Sequence, residues 1–242
     1  MSIALMVITD APEGGGKSTP RLSYLKRAVA SAREYLHGDV SHRFIVADCA
    51  GNTPFLHAVE EYSYTLEEVE DWAVLGYGRR LGFAGAIQAG WAHVRRLPKG
   101  VTHVFHLEGD FTFNQHIDLD VMAEALDADH TLAQLALMRQ PWNTEEARAG
   151  GIIQLHPEDF ELRAAKNTYN GNYVAHSRFW TTNPCLYRRE LIERGWPDAP
   201  ESEGKFGIGL VQAGYHFGFW QASLDSAPAV EHIGRQRSGT GY

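Results

Sequence analysis

The sequence predicts an α/β domain in which helices flank a central, mostly parallel mixed sheet. Three observations favour this fold class: a β-α-β opening, continued alternation of apolar strands with amphipathic helices, and acidic residues at strand ends. The chain has 242 residues, enough for one large core and too few for two well-developed domains with a linker. We therefore expect a single domain over residues 1–242.

The opening of the chain predicts the first β-α-β unit. Residues 3–8 are apolar and β-branched and run into a glycine-rich loop, which is typical of a buried strand. Residues 21–36 carry apolar side chains at alternating steps of three and four, which places them on one face of a helix. Residues 43–47 form the next apolar run and predict the second strand.

The middle of the chain continues the alternation. Residues 66–72 are predicted to be helical and residues 74–75 to form a short strand. Residues 83–97 have a clear helical period, and residues 102–107 predict a strand that ends at residues 108–110. Open α/β sheets bind ligands at the carboxyl ends of their strands, so this strand end is a candidate site.

The second half of the chain is less regular. A helix at residues 118–126 and a strand at 132–138 are followed by a loop-rich stretch at 140–178, rich in aromatic and amide side chains, which we interpret as the acceptor side. Helices are then predicted at 188–194 and 202–213, and strands at 216–220 and 229–232, before a glycine-containing tail. Aromatic faces with amide side chains are typical of sugar recognition, although ordinary packing is the expected role for most of these residues. The set is Trp142, Asn143, Tyr169, Asn170, Asn172, Tyr173 and Trp180.

Composition excludes several classes of protein. Apolar residues make up 44% and charged residues 21%, as in ordinary globular proteins. A net charge of −8 disfavours binding to duplex nucleic acid. Cys49 and Cys185 are too few for a disulfide framework, and the apolar run at residues 2–8 is too short for a leader or a membrane span. We expect a cytoplasmic protein without a membrane span.

The strongest local motif is Glu108-Gly109-Asp110 at a strand end. Two carboxylates one residue apart can approach the same hard divalent cation, and the glycine leaves room for a ligand. Such a cation neutralises the charge that develops on a diphosphate leaving group. The alternative interpretation is a solvated pair of acids, which is common where strands meet loops.

The order of motifs along most of the chain resembles family-two glycosyltransferases of the GT-A fold. In that family an Asp follows the second strand, a Gly- and Ala-rich helix precedes the acidic metal motif, and a small-residue segment and a second acidic motif come later. Asp48, residues 82–86, residues 107–110, residues 183–191 and residues 200–207 look like these features in that order. The set is moderately specific, although no single member is.

The resemblance implies a single Rossmann-like GT-A domain. Residues 1–113 would form the half that binds the nucleotide sugar, and residues 114–242 the half that binds the acceptor, with a C-terminal tail. The implied activity is metal-dependent, inverting transfer of a hexose from a nucleotide diphosphate donor, such as a UDP-sugar, to an acceptor hydroxyl. The implied cofactor is Mn²⁺ or Mg²⁺, and His beside carboxylates favours Mn²⁺.

The resemblance also implies roles on the donor side. Asp110 would bind the metal directly, and Glu108 would contact the water shell of the metal or the donor ribose. Asp48 would hydrogen-bond the nucleobase. The other donor-binding positions are in the first loop and at the start of the Gly- and Ala-rich helix: Thr9, Asp10 and Gly82.

Candidate residues from the last third of the chain complete the site. Glu203 would be the general base, with Glu201 as its close rival; a helix N-terminus explains such acids equally well. His232 would complete the metal site, unless it is simply satisfied by hydrogen bonds. Arg235 and Arg237 would bind the donor phosphates, or else are solvated charges of the tail.

Two other functions remain open from the sequence. Residues 14–19, Gly-Gly-Gly-Lys-Ser-Thr, resemble a phosphate-binding loop of a kinase or ATPase, but Ala11 stands where that pattern needs glycine. The second alternative is a non-catalytic module that binds nucleotide sugars. The acceptor of a transferase could be a polysaccharide, a protein, a small molecule or a modified nucleobase.

Overall fold

The first half of the chain forms the predicted β-α-β opening. The computed structural model describes residues 2–11, 20–49, 51–67, 71–77, 79–166, 171–223 and 225–234. In order, the first elements are β1 (Ser2–Asp10), α1 (Pro20–Tyr35), β2 (Leu36–His37), β3 (Val40–Asp48), α2 (Thr53–Glu67), β4 (Trp72–Tyr77), α3 (Gly82–Arg96) and β5 (Val101–Glu108).

The second half has shorter elements. They are β6 (Phe111–Phe113), β7 (Ile117–Asp118), α4 (Leu119–Ala128), β8 (Leu132–Ala136), α5 (Thr144–Ala149), α6 (Ile152–Leu155), a 3₁₀ turn (Pro157–Asp159), β9 (Glu161–Ala164), β10 (Asn172–His176), β11 (Cys185–Arg188), a 3₁₀ helix (Arg189–Arg194), α7 (Ser202–Gln212), β12 (His216–Trp220) and β13 (Val230–His232). The stretch at 140–178 therefore contains more regular structure than the sequence predicts.

A nine-stranded mixed sheet forms the centre of the domain, in the order β4-β3-β1-β5-β11-β8-β12-β10-β9. Strands β4, β3, β1 and β5 are parallel. Strand β11 lies antiparallel between β5 and β8, and β12 is parallel to β8. The predicted fold class, an α/β domain with a mostly parallel mixed sheet, is confirmed.

The sheet is buried on both faces, as the apolar strands predict. On β1, alternate side chains belong to different core clusters because successive residues of a strand point to opposite faces. Ile3, Leu5 and Val7 pack with α1, α2 and α4. Ala4 and Met6 pack with α3, in a cluster that also contains apolar residues of α7.

One predicted helix is wrong. Of the helical stretch expected at residues 66–72, residues 66–67 end α2, residue 72 begins β4, and residues 68–70 lie outside the described residues. Helix α2 begins earlier because Asn52 Oδ1 accepts a hydrogen bond from the backbone N of Phe55 at 3.1 Å, an N-terminal cap. Trp72 is the first residue of β4 and pairs with Arg43 of β3.

Two expectations drawn from composition can be compared with the fold. Cys49 and Cys185 are free thiols, and both are buried. In the described part of the chain, no helix has the length and apolar character needed to cross a bilayer.

Candidate active site

The parallel strands of the first half bring their acidic ends together at one edge of the sheet. Asp10, the last residue of β1, is paired in register with Asp48, the last residue of β3. Glu108, the last residue of β5, pairs with Ile8 of β1. Asp110 follows two residues later and is buried, with 3% of its surface exposed. Residues distant in sequence therefore form one acidic edge.

Asp48 holds the N-terminus of α3 in place. Its two carboxylate oxygens accept hydrogen bonds from the backbone N of Leu81 and of Gly82, each at 2.8 Å. Gly82 has a φ of 68°, a conformation that a side chain makes costly. Each carboxylate oxygen has a second lone pair. The second lone pairs can still accept a hydrogen bond from a ligand, and the contact of Asp48 with a nucleobase stays a prediction.

Asp110 and His232 form a buried pair. The Nε2 atom of His232 lies 3.2 Å from Oδ2 of Asp110, and both side chains are 4% exposed. The alignment is not that of a hydrogen bond, and neither ring nitrogen of His232 has a hydrogen-bond partner among the described residues. The imidazole is held between the rings of Phe111, at 4.6 Å, and Trp142, at 5.2 Å.

The backbone around His232 is fixed from two sides. β13 pairs antiparallel with β6, with His232 opposite Phe111. The side-chain amide of Gln140 accepts from the His232 backbone N at 3.0 Å and donates to its carbonyl oxygen at 3.2 Å. The backbone N of Ile233 donates to the carbonyl oxygen of Asp110 at 2.8 Å. These contacts orient the histidine without using its ring nitrogens.

Two glycines permit the close approach of backbone to this pair. A Cβ atom on Gly234 would lie 2.2 Å from Oδ2 of Asp110. A Cβ atom on Gly109 would lie 3.1 Å from the Cβ of Thr9 and 3.2 Å from the carbonyl oxygen of Ile8. The glycine at 234 is therefore required for the observed packing around the carboxylate.

The Asp110 and His232 pair fits a divalent cation. A carboxylate oxygen and an imidazole nitrogen 3.2 Å apart, buried and not hydrogen-bonded to each other, have the chemistry of two ligands that converge on one ion. Glu108 is not the third member of a compact trio with them. Among the described residues, the one trio with ligand atoms all within 4.8 Å of one another is His156, Glu158 and Asp159.

That other trio already has a cationic partner. Arg178 donates to Asp159 through Nη1, and its Nη2 lies 3.1 Å from Nε2 of His156. Glu158 and Asp159 are exposed, unlike the buried Asp110 and His232, and we interpret the trio as an ion-pair cluster at the surface.

Thr182 connects Glu108, at the end of β5, to Glu203 at the start of α7. Its hydroxyl lies 2.8 Å from Oε1 of Glu108 and 3.0 Å from Oε1 of Glu203. Its backbone N also donates to Oε1 of Glu203, at 2.5 Å. Because the hydroxyl has a single proton, it can donate to only one carboxylate at a time. Among the described residues, none donates a hydrogen bond to Oε2 of Glu203.

The two candidate bases have different surroundings. Burial raises the pKa of Glu203, and the hydrogen bonds from Thr182 and the charge of Arg139 act in the opposite direction. Glu201 is exposed and has a φ of 56° at the N-terminus of α7. Only Glu203 of the two lines the cavity described next.

A cavity of about 420 Å³ joins the two parts of the site. His232, Glu108 and Glu203 all line it, and the hydroxyl of Thr182 lies between the two glutamates. Aromatic and apolar side chains form much of the rest. The lining residues are Glu108, Phe111, Met138, Arg139, Trp142, Glu146, Ile152, Phe179, Trp180, Thr181, Thr182, Asn183, Glu203, Gly204, Phe219 and His232.

Comparison with solved structures identifies the fold. A mannosyltransferase, PcManGT from Pyrobaculum calidifontis in complex with GDP-Man and Mn²⁺, is similar over 98% of this chain and 58% of its own, with a TM-score of 0.61 and 14% identity. Residues 1–349 of S. aureus TarS are similar over 96% of this chain and 60% of their own, with a TM-score of 0.60 and 14% identity. GalNAc-T7 with UDP, GalNAc and Mn²⁺ is similar over 96% and 44%, with a TM-score of 0.62 and 13% identity.

The protein has a GT-A-type fold. No protein-family model matches the sequence, and no curated protein matches it either. The chain spans between 44% and 60% of the length of these three structures.

The GT-A fold brings most of the predicted site residues to one edge. Asp10, Asp48, Glu108 and Asp110 follow the first strands as expected, and Thr9 is buried beside Gly109. Asp10 faces Arg21, which lies 3.3 Å away. Arg235, Arg237, the loop at residues 14–19, Tyr169 and Asn170 lie outside the described residues.

The aromatic and amide residues predicted near the acceptor side have mixed roles. Trp142 is 45% exposed and lines the cavity, and Trp180 is 2% exposed, packs in the core and borders the same cavity. Asn143 caps α5 by accepting from the backbone N of Glu146 at 2.8 Å. Asn172 donates to the carbonyl oxygen of Ala222 at 3.0 Å.

Sequence reasoning missed three features of the GT-A site. Arg21 donates to Asp110 Oδ2 at 3.1 Å across 89 residues of sequence. The hydroxyl of Thr182 reaches both Glu108 and Glu203, and no sequence prediction includes it. Arg139 pairs with buried Glu146 at 3.1 Å on the cavity wall. The order of the strands in space, which brings these residues together, has no signal in local sequence patterns.

Proposed function

We propose that this protein is a metal-dependent, inverting glycosyltransferase that moves a sugar from a nucleotide diphosphate donor to an acceptor hydroxyl. The observation that carries the proposal is the arrangement around one cavity. His232, which is paired with Asp110, and the half-buried Glu203 both line it. Its GT-A-type neighbours include structures with GDP-Man and Mn²⁺, and with UDP, GalNAc and Mn²⁺, which supports the same donor chemistry.

The donor is proposed to bind at the acidic edge of the sheet. Asp110 and His232 would hold Mn²⁺ or Mg²⁺, and the ion would stabilise the charge on the departing diphosphate. Glu108 would contact the donor ribose or the water shell of the ion. Asp48, which already fixes the start of α3, would hydrogen-bond the nucleobase through a remaining lone pair. Thr9, Asp10 and Gly82 line the same edge.

Glu203 is proposed as the general base. Its Oε1 accepts from the backbone N of Thr182 and shares the Thr182 hydroxyl proton with Glu108, which leaves Oε2 to take the proton of the acceptor hydroxyl. Removing that proton as the oxygen attacks the anomeric carbon lowers the barrier. A base on the face opposite the leaving diphosphate implies one direct displacement and therefore inversion at the anomeric carbon.

The first experiment measures donor turnover. The purified chain is incubated with UDP- and GDP-sugars and Mn²⁺, and free nucleoside diphosphate is detected, since slow donor hydrolysis accompanies transferase chemistry. We expect release from at least one donor and its loss in EDTA. Turnover and nucleotide binding that are indifferent to EDTA would remove the metal from the proposal. No release from any donor, with nucleotide binding intact, would favour the non-catalytic module.

Two variants locate the metal. Asp110→Asn should abolish Mn²⁺-dependent nucleotide binding in calorimetry. Asp159→Asn changes an acid of the surface trio and is the matched control, which should bind as the unmodified chain does. A loss in Asp159→Asn alone would move the metal to that trio.

A third variant tests the kinase alternative. Lys17→Ala removes the lysine of the phosphate-loop-like segment at residues 14–19. Donor turnover that persists in this variant supports the glycosyltransferase, whereas collapse of nucleotide binding, together with ATP hydrolysis by the unmodified chain, supports the kinase or ATPase.

A further inference from the structure

Arg21 joins the ends of β1 and β5 through its guanidinium. The residue lies in the first turn of α1, and its side chain is 15% exposed. Its Nη1 donates to Oδ2 of Asp110 at 3.1 Å, and its Nη2 lies 3.3 Å from Oδ1 of Asp10. Helix α1 itself is anchored in the core, because its residues Leu25, Ala28 and Val29 are fully buried.

The guanidinium contacts the atom of Asp110 that a cation would need. The oxygen that Arg21 bonds, Oδ2, is the one that lies 3.2 Å from Nε2 of His232. Arginine keeps its positive charge at any pH that proteins experience, so it cannot become a ligand. A divalent ion bound between Asp110 and His232 would face this charge across a single carboxylate, and the two cations would repel each other.

Arg21 also has a geometry suited to a second anion. Its planar fork matches phosphate oxygens as well as carboxylates, whereas a lysine provides only a point charge. Its other partner, Asp10, is 43% exposed, so this end of the contact is open to a ligand. The pKa of Asp10 is raised, first by burial and also by Asp110 and Asp48, while Arg21 lowers it. The positive charge of Arg21 thus partly balances the negative charges of Asp10 and Asp110.

We propose that Arg21 competes with the divalent cation for Asp110 in the donor-free protein and binds the diphosphate of the donor once the cation is in place. This inference rests on the proposed function. It assigns Arg21 two opposite effects: it weakens binding of the metal alone, and it strengthens binding of the nucleoside diphosphate with the metal. A purely structural ion pair would have neither effect in this combination.

The test measures binding by the full chain in two titrations. The first titrates Mn²⁺ alone and follows the free ion by electron paramagnetic resonance. The second titrates UDP or GDP by calorimetry at saturating Mn²⁺. Arg21→Met should bind Mn²⁺ about tenfold more tightly and the nucleoside diphosphate about tenfold more weakly, as expected for loss of one charge-assisted hydrogen bond. Arg27→Met, an exposed position on the same helix, is the control and should change neither.

A second variant keeps the test decisive if Arg21→Met does not fold, as judged by circular dichroism. Arg21→Lys retains the charge and loses the fork. It should leave Mn²⁺ affinity within about twofold of the unmodified chain and still weaken nucleoside diphosphate binding. Equal nucleotide affinity in Arg21→Lys and the unmodified chain would overturn the proposal.

The outcomes separate this inference from the proposed function. If the unmodified chain binds Mn²⁺ and Arg21→Met binds it equally or more weakly, only the role of Arg21 fails. If the unmodified chain binds no Mn²⁺ with or without nucleotide, both proposals fail together. Opposite shifts of the two affinities support both.

Discussion

Replacing Glu203 by Gln removes a base while preserving its surroundings. The amide of Gln keeps a carbonyl oxygen that can accept both hydrogen bonds from Thr182, at 2.5 and 3.0 Å in the present protein. The second oxygen becomes an amide nitrogen, which cannot accept a proton from the acceptor hydroxyl. The packing around α7 is therefore expected to remain, and only proton transfer is lost.

The size of the effect follows from that single loss. General base catalysis contributes about 10²–10⁴-fold, which corresponds to ~3–5 kcal/mol of transition-state stabilisation. We therefore expect kcat for sugar transfer to fall by about that factor. Donor affinity should change by less than about twofold, because Gln keeps the shape of Glu203 and an acceptor for Thr182, so that the contact of Thr182 with Glu108 is preserved.

Steady-state transfer and calorimetric donor binding are the two assays, and Glu201→Gln is the matched control. Glu201 carries the same charge two residues away, but it is exposed and does not line the cavity. It should keep kcat within about twofold. The assignment of the base is refuted if Glu201→Gln loses transfer and Glu203→Gln retains it, and the base mechanism fails if both variants remain fully active.

Three further predictions follow from the geometry. Burial raises the pKa of Glu203, and the base must be ionised to act. As pH is lowered, kcat should therefore fall at a higher pH than it would for a solvent-exposed carboxyl group. A fall only in the pH range of an exposed carboxyl group would contradict this. Gly234→Ala should weaken Mn²⁺ binding at least tenfold in calorimetry, since its Cβ would lie 2.2 Å from Asp110 Oδ2; Gly100→Ala, where a Cβ meets nothing within 4 Å, is the control. Burial lowers the pKa of His176 to about 3. The free energy of unfolding that this histidine contributes is therefore present above the unfolded pKa near 6.5 and is lost as pH falls toward 3, by ~1.4 kcal/mol per pH unit. Chemical denaturation at pH 5 and 7 should show a smaller loss in His176→Asn than in the unmodified chain.

The sequence predicts the acidic edge of the sheet well because its signals are local. Each of β1, β3 and β5 is an apolar run that ends in an acid, and parallel strands place such ends at the same edge. The alternation at residues 83–97 likewise predicts α3 to within a residue or two. Helix α2 was missed because its start depends on the cap of Asn52 rather than on a strong apolar period.

The contacts that complete the site could not be predicted in the same way. Thr182 reaches Glu108 only because β11 inserts antiparallel beside β5, and Cys185 of β11 pairs with His106 there. That insertion is a property of the whole sheet and has no local period or motif. The resemblance to GT-A enzymes supplied His232 as a candidate, while the ion pair of Arg21 with Asp110 spans 89 residues and had no signal.

The position of β13 has a consequence for how the site can be lost. His232 belongs to a strand of only three residues, which pairs with β6 in a two-stranded sheet apart from the nine-stranded one. Opening of so short an element requires far less free energy than global unfolding. A protease cut between β12 and β13 would thus leave the main sheet and Asp110 intact while releasing the histidine. Cation affinity would then report on the attachment of one short strand, and would disappear before any change in overall secondary structure is detected.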